Sequence, residues 1–209
     1  DKKDLFWEDG KQTAGKHAAE VKNNLQLKRD VNLSKKFSGL IIKKILNNDL
    51  IKSFALPKKV HGTMFSKSTI GMKYGRHIDN AYMSSGRADL SFTIFLNCKN
   101  NYDGGALSIE SFNSEEKFKL DAGEIIIYPS TYLHSVEEVI TGERLVFIGW
   151  IESYVKSIEE REYLFDLDAA ARSLLAKYGR SNEVDLIFKS YSNLLRRLGS
   201  WFWIILYIE

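Results

Sequence analysis

Between Val60 and Ser153 the sequence is a succession of short β-rich runs broken by Gly, Asn and Asp, with no helical period among them. Such a stretch limits the chain to a packing of many short strands, a sandwich or jelly roll, because βαβ units need crossover helices. Strands are expected near 60–66, 72–77, 89–96, 106–111, 116–120, 124–129, 134–139 and 143–152. Leu90–Leu96 and Ile125–Tyr128 are apolar enough to be interior strands. Turns are expected at Asn100–Gly105, Asp121-Ala122-Gly123 and Thr141-Gly142.

Helical patterns flank this region. Residues 13–24 read as loop then short helix, with His17 an exposed helix histidine. Ser34 is a candidate N-cap, and Phe37, Leu40, Ile41, Ile45 and Leu46 recur at helical spacing over 35–48. Asn47-Asn48-Asp49 closes that helix, and Ser53–Pro57 reads as a connector. Leu164, Leu167, Ala171, Leu174 and Leu175 define a helix over 157–178, stopped by Gly179. A second helix covers Glu183–Leu198. The expected fold is mainly β with flanking helices. Residues 1–156 form one domain, helical over 1–56 and β over 57–156. Residues 157–209 form a helical hairpin and an apolar tail, Trp201–Glu209, packed on the core or used for self-association into a homo-oligomer. The tail falls short of the roughly 20 residues that a membrane span needs.

Composition narrows the partners. The net charge of +3 is spread along 209 residues, without the clustered basic face that nucleic-acid binding requires. The single cysteine, Cys98, excludes an intrachain disulfide and fits a reducing, cytoplasmic setting. Cys98 follows an apolar run and is expected to be partly buried. No signal peptide is visible, and the chain opens on Asp1 rather than Met, so earlier residues are expected to be missing.

The chemistry centres on His77-Ile78-Asp79. In extended backbone, residues i and i+2 share a face, so an imidazole and a carboxylate stand side by side. A second imidazole from a distant strand, His134, completes a 2-His-1-carboxylate set that leaves open positions and suits non-haem Fe(II). Arg144 opens the run Arg144–Trp150, whose alternation puts Arg144, Val146, Ile148 and Trp150 on one face. A guanidinium on an otherwise apolar face calls for a partner, and its planar fork matches a carboxylate. The alternative for Arg144 is exposure at a strand start or pairing with Glu143 or Glu152. Tyr74 and Asn80 are candidates for supporting the ligands or facing the substrate, or else for turn and strand packing. Trp150 is either a wall of the metal pocket or an ordinary core residue.

Taken together, ordered motifs carry a resemblance. They are Gly71-Met72-Lys73-Tyr74-Gly75-Arg76-His77-Ile78-Asp79-Asn80-Ala81, Arg87–Ser91, Tyr102–Leu107, Ala122-Gly123-Glu124, Tyr128-Pro129-Ser130, His134 and Gly142-Glu143-Arg144. This run resembles the Fe(II)/2-oxoglutarate dioxygenases related to prolyl and lysyl hydroxylases, and within them the PKHD-type hydroxylases. The flanks agree, through Thr13-Ala14-Gly15, Val21–Leu27, Leu164–Asp168 and Asn193–Arg197. The resemblance implies a double-stranded β-helix. His77, Asp79 and His134 then correspond to the iron ligands, and Arg144 to the residue that pairs with the distal carboxylate of 2-oxoglutarate. The implied cofactors and cosubstrates are Fe(2+), 2-oxoglutarate and O2, with L-ascorbate as a further one. The implied reaction hydroxylates a protein side chain or small molecule while 2-oxoglutarate becomes succinate and CO2. The alternative is a cupin-like metalloenzyme or metal-dependent binding module that does not turn over 2-oxoglutarate; Arg144 discriminates, since only a 2-oxoglutarate enzyme needs a carboxylate clamp there. Two departures stand out. Lys67-Ser68 occupies the place of an Arg-Tyr pair, keeping a hydroxyl and losing an aromatic, and the family has roughly two dozen residues ahead of Phe6. Substrate choice is expected in the loop Ala81–Ala88, since one fold serves many substrates through its loops.

Overall fold

The computed structural model describes residues 6–200. The expectation for Trp201–Glu209 lies outside the described residues. In chain order the strands are β1 (Trp7–Asp9), β2 (Lys22–Asn23), β3 (Leu25–Leu27), β4 (Pro57–Thr69), β5 (Lys73–His77), β6 (Tyr82–Met83) and β7 (Gly86–Arg87). They continue with β8 (Leu90–Phe95), β9 (Tyr102–Gly104), β10 (Leu107–Glu110), β11 (Glu115–Phe118), β12 (Ile125–Pro129), β13 (Leu133–Val136) and β14 (Val139–Ser153). The α-helices are α1 (Lys16–Ala19), α2 (Asn32–Asn47), α3 (Asp49–Ala55), α4 (Ile158–Tyr178) and α5 (Asn182–Leu198).

One sheet runs β1-β3-β4-β14-β8-β12, with β9 also paired to β14; a second runs β11-β10-β13-β5-β2. The residue pairings recorded in both sheets are antiparallel. This is the double-stranded β-helix. The chain divides into two compact units, the first holding the described residues through Lys44 with Lys59–Glu152, the second Ile45–Lys58 with the described residues from Ser153 on.

In the first unit, Leu90, Phe92, Phe95, Val146 and Phe147 are fully buried, and the Phe147 ring lies 4.7 Å from that of Phe65. A second group joins Leu107, Ile109 and Tyr128. Alternation explains the site's placement. Register sets Trp150 opposite Ser91, and Ser91 opposite Tyr128 on the next strand, in one row across β14, β8 and β12. In the other sheet His134 pairs directly with His77.

The second unit is helical. Ser157 caps α4 by accepting the amide of Glu160, and Gly179, at φ 77°, ends it as expected. Ser181 caps α5 through the Val184 amide. Leu56, Val155 and Leu164 are its buried core, with Tyr191, Leu195 and Leu198 packed against them.

Several local expectations change. Helix α2 begins at Asn32, so Ser34 is a buried first-turn residue rather than the N-cap, and Phe37 and Leu40 are exposed. Asn48 caps a further helix, accepting the Ile51 amide at 3.0 Å, so α3 stands where a connector was expected. The Thr141-Gly142 turn is part of the continuous β14. Gly142 sits there at φ +71°, where a Cβ would come 2.3 Å from the Asn101 carbonyl oxygen. Cys98 is exposed and donates to Asp121. His17 is exposed, as expected. No described helix is long and apolar enough to cross a membrane.

Truncating Leu164 to Ala removes the centre of the helical unit's core and should lower stability by about 2–5 kcal/mol in urea unfolding. A loss below about 1 kcal/mol would mean that the unit does not depend on this contact.

Candidate active site

His77 closes β5 and Asp79 follows two residues on, while His134 lies on the adjacent β13. One ligand atom from each falls within 4.8 Å of the others. The rings of His77 and His134 are 4.2 Å apart. Each imidazole meets a backbone carbonyl through Nδ1: His77 that of Gly75 at 2.8 Å, His134 that of Tyr132 at 3.1 Å. A carbonyl can only accept, so Nδ1 carries the proton in both rings and the Nε2 lone pairs are left for a metal. Burial, reinforced by His134, holds the His77 pKa down to about 4, so that ring is neutral near pH 7.

Asp79 is held from the opposite sheet. Its Oδ2 accepts from the Ser91 hydroxyl at 2.6 Å and the Trp150 indole at 2.9 Å. Ser91 also shares a 2.8 Å hydrogen bond with Ser130. The Trp150–Ser91 register is what brings both donors to one oxygen, which also lies 3.8 Å from Nε2 of His134. Trp150 therefore both lines the cavity and supports the carboxylate. Gly62, at φ +63°, makes room for its indole, since a Cβ there would stand 2.6 Å from Trp150 Cε3. Tyr74 stacks on His77 at 3.6 Å, and burial raises its pKa above the ordinary phenol value.

These residues line a cavity of about 710 Å³ that also contains Arg144 and Asn80. Arg144 is only 3% exposed. Among the described residues no carboxylate pairs with it, and its Nε has no hydrogen-bond partner. The pairings with Glu143 or Glu152 left open by sequence are thus absent. Burial lowers the guanidinium pKa, with Tyr102 and Tyr128 opposing it. The loop Ala81–Ala88 forms the β6–β7 hairpin, and Tyr82 to Ser85 line the cavity. Lys59 and His61 hold this hairpin, Lys59 donating to the Ser85 carbonyl at 2.6 Å and His61 bonding the Ser85 hydroxyl at 2.9 Å. Ser68 is buried in the cavity wall.

Residues 63–152 match the 2OG-Fe(II) oxygenase superfamily, and residues 159–199 the PKHD-type hydroxylase C-terminal domain. A PKHD-type hydroxylase of Prochlorococcus marinus (strain MIT 9215) is 78% identical over 94% of this chain and 89% of its own length. The chain belongs to the PKHD-type hydroxylases. Another member of this family, from strain MIT 9312, is 72% identical over 95% of this chain and 90% of its own. Among solved structures, a Pseudomonas putida prolyl-4-hydroxylase aligns with TM-score 0.52 and 17% identity over 72% of this chain and 96% of that one. That likeness concerns the fold. Family membership makes the chain a 2-oxoglutarate-dependent Fe(II) dioxygenase.

Sequence reasoning missed the support of Ser91. It lay inside a quoted motif, but only the β14–β8 register shows that it reaches Asp79.

The His77 environment sets a pH response for the metal-free protein. Between pH 6.5 and about 4 the unfolded chain takes up a proton that the folded site refuses. Folding stability therefore falls as pH drops through that window and levels off below it. Melting temperature measured from pH 7 to 4 should show this slope, weakened in His77→Gln; an equal slope in both proteins would contradict it.

Proposed function

We propose that His77, Asp79 and His134 hold Fe(II), that Arg144 takes the far carboxylate of 2-oxoglutarate, and that the chain hydroxylates a protein side chain or small molecule. Arg144 is the observation that carries this reading. A buried guanidinium without a counter-charge is costly, and it shares a cavity with two available imidazole nitrogens and a carboxylate. A dianionic cosubstrate satisfies it, with the fork matching a carboxylate bidentately.

The residues present fit the metal. Two imidazoles and one carboxylate suit Fe(II) and leave positions open. Iron, when bound, supplies the oxidising chemistry, in which 2-oxoglutarate is decarboxylated to succinate and CO2 as the substrate is hydroxylated. The protein's own groups orient and exclude. The Gly75 and Tyr132 carbonyls fix the ring orientations, and Ser91 and Trp150 fix the carboxylate. The β6–β7 hairpin, with Tyr82 and Met83 on the cavity wall, is the surface this reading gives to substrate choice. L-ascorbate is kept as an accessory reductant. All the groups used lie in the first unit, so the reading places catalysis within residues 1–156 and assigns the C-terminal helices no chemical task.

Two sets of variants test the assignment. Arg144→Ala should weaken 2-oxoglutarate binding by about 2–5 kcal/mol with Mn(II) affinity retained, and Arg144→Lys should fall between. If 2-oxoglutarate binds all three proteins alike by calorimetry, Arg144 is structural and the assignment fails. Ser91→Ala and Trp150→Phe each remove one donor to Asp79 and should each lower Mn(II) affinity by about 10–100-fold. Unchanged affinity in both would separate Asp79 from the metal. Succinate formation with Fe(II), O2 and 2-oxoglutarate across peptides, amino acids and siderophores then identifies the substrate.

A further inference from the structure

A second buried cation faces the same cavity and has no task in the reading above. Lys22 is 5% exposed and lines the cavity. Its Nζ donates to the Thr13 hydroxyl at 3.3 Å and lies 5.1 Å from the centre of the Tyr74 ring. Among the described residues it forms no salt bridge. An ammonium has three N–H donors, and among the described residues one of them meets a side-chain acceptor, the Thr13 hydroxyl. Burial pulls its pKa down to about 8, against the attraction of Asp79 and Asp9, so it still carries its charge near neutral pH.

The local frame holds Lys22 in place. The Thr13 hydroxyl donates to Gln26 Oε1 at 2.7 Å, which turns its lone pairs toward the ammonium. Lys22, Asn24 and Gln26 occupy alternate positions and are all buried. The Gln26 amide nitrogen is itself without a partner. Register places Lys22 directly opposite Tyr74, and Tyr74 stacks on His77. The ammonium is thus one aromatic ring away from the triad.

Charge decides what should sit there. If iron and 2-oxoglutarate occupy the site as proposed, the charges of the metal and Arg144 are matched by Asp79 and the dianionic cosubstrate, with His77 neutral. Lys22 then remains without an ion-pair partner among the described residues, Asp9 acting on it only at longer range, in a cavity of about 710 Å³ that has room for a second small molecule. An unpaired buried cation is unfavourable until an anion joins it.

We propose that Lys22, held by Thr13 and Gln26, anchors a second anion subsite in the cavity, and that the hydroxylated substrate is a small molecule whose carboxylate occupies it. This rests on the dioxygenase reading and adds the substrate's chemical class to it. The Tyr74 ring beside the anchor then bounds the distance from that carboxylate to the reacting carbon, and the β6–β7 hairpin contacts the rest of the molecule.

The test uses full-length protein loaded with Mn(II) and 2-oxoglutarate. Probes are free amino acids and dipeptides, each paired with its C-terminal amide, titrated by calorimetry. At least one carboxylate should bind wild type ten-fold or more tightly than its amide, and free amino acids binding without dipeptides would identify the smaller source. Lys22→Met should abolish that preference while 2-oxoglutarate affinity stays within about two-fold, and Thr13→Val should reduce it partially. The Thr13 variant keeps the test decisive if Lys22→Met does not fold. The proposal is overturned if carboxylates and amides bind alike, if no carboxylate binds, or if Lys22→Met loses 2-oxoglutarate instead. Failure of 2-oxoglutarate to bind wild type would instead overturn the dioxygenase reading on which the subsite rests.

Discussion

Two hydrogen bonds between the sheets, from the Ser91 hydroxyl and the Trp150 indole to one oxygen of Asp79, set the geometry on which the rest of the site depends. Asp79 lies just past the end of β5, where backbone pairing alone would leave its side chain free to rotate. Anchored from β8 and β14, that same oxygen lies 3.8 Å from Nε2 of His134. Those rings are fixed in turn by carbonyls of their own chain segments. The three candidate ligand groups are therefore held in place by the protein itself, and if they bind a metal as proposed, little ordering entropy remains to be lost on binding.

The cavity is also unusual in its charges. It buries two cations, Arg144 and Lys22, and among the described residues lining it the one carboxylate is Asp79. A closed apolar core would expel such groups or force them to neutralise. On the proposed reading, their retention is explained by ligands that arrive with negative charge, 2-oxoglutarate at Arg144 and a substrate carboxylate at Lys22. The hairpin carrying Tyr82 and Met83 is held to β4 through Lys59 and His61, so the wall facing those ligands is braced rather than loose.

What the sequence revealed follows from the range of the interactions involved. His77 and Asp79 were legible because i and i+2 share a face, and the Arg144–Trp150 face because a long strand alternates strictly. Helices α4 and α5 were legible because their period repeats over many turns and Gly179 marks the end of the first. Strands β1, β2 and β3 span two or three residues each, too few for any period, so Lys22 fell within a segment that read as loop then short helix. Ser91 and Lys22 acquire their roles only through register, Ser91 opposite Trp150 and Lys22 opposite Tyr74. The break expected at Thr141-Gly142 was misread because Gly142 serves close approach to Asn101 within a strand, where turns use the same residue.

A crystal structure of the protein with Mn(II) and 2-oxoglutarate, located by the anomalous signal of the metal, tests the central claim most directly. The account predicts metal bonded to Nε2 of His77, Nε2 of His134 and the Asp79 carboxylate, with Ser91 and Trp150 still hydrogen-bonded to that carboxylate and the distal carboxylate of 2-oxoglutarate on Arg144. Metal bound elsewhere, or a cosubstrate carboxylate that leaves Arg144 unpaired, would contradict it.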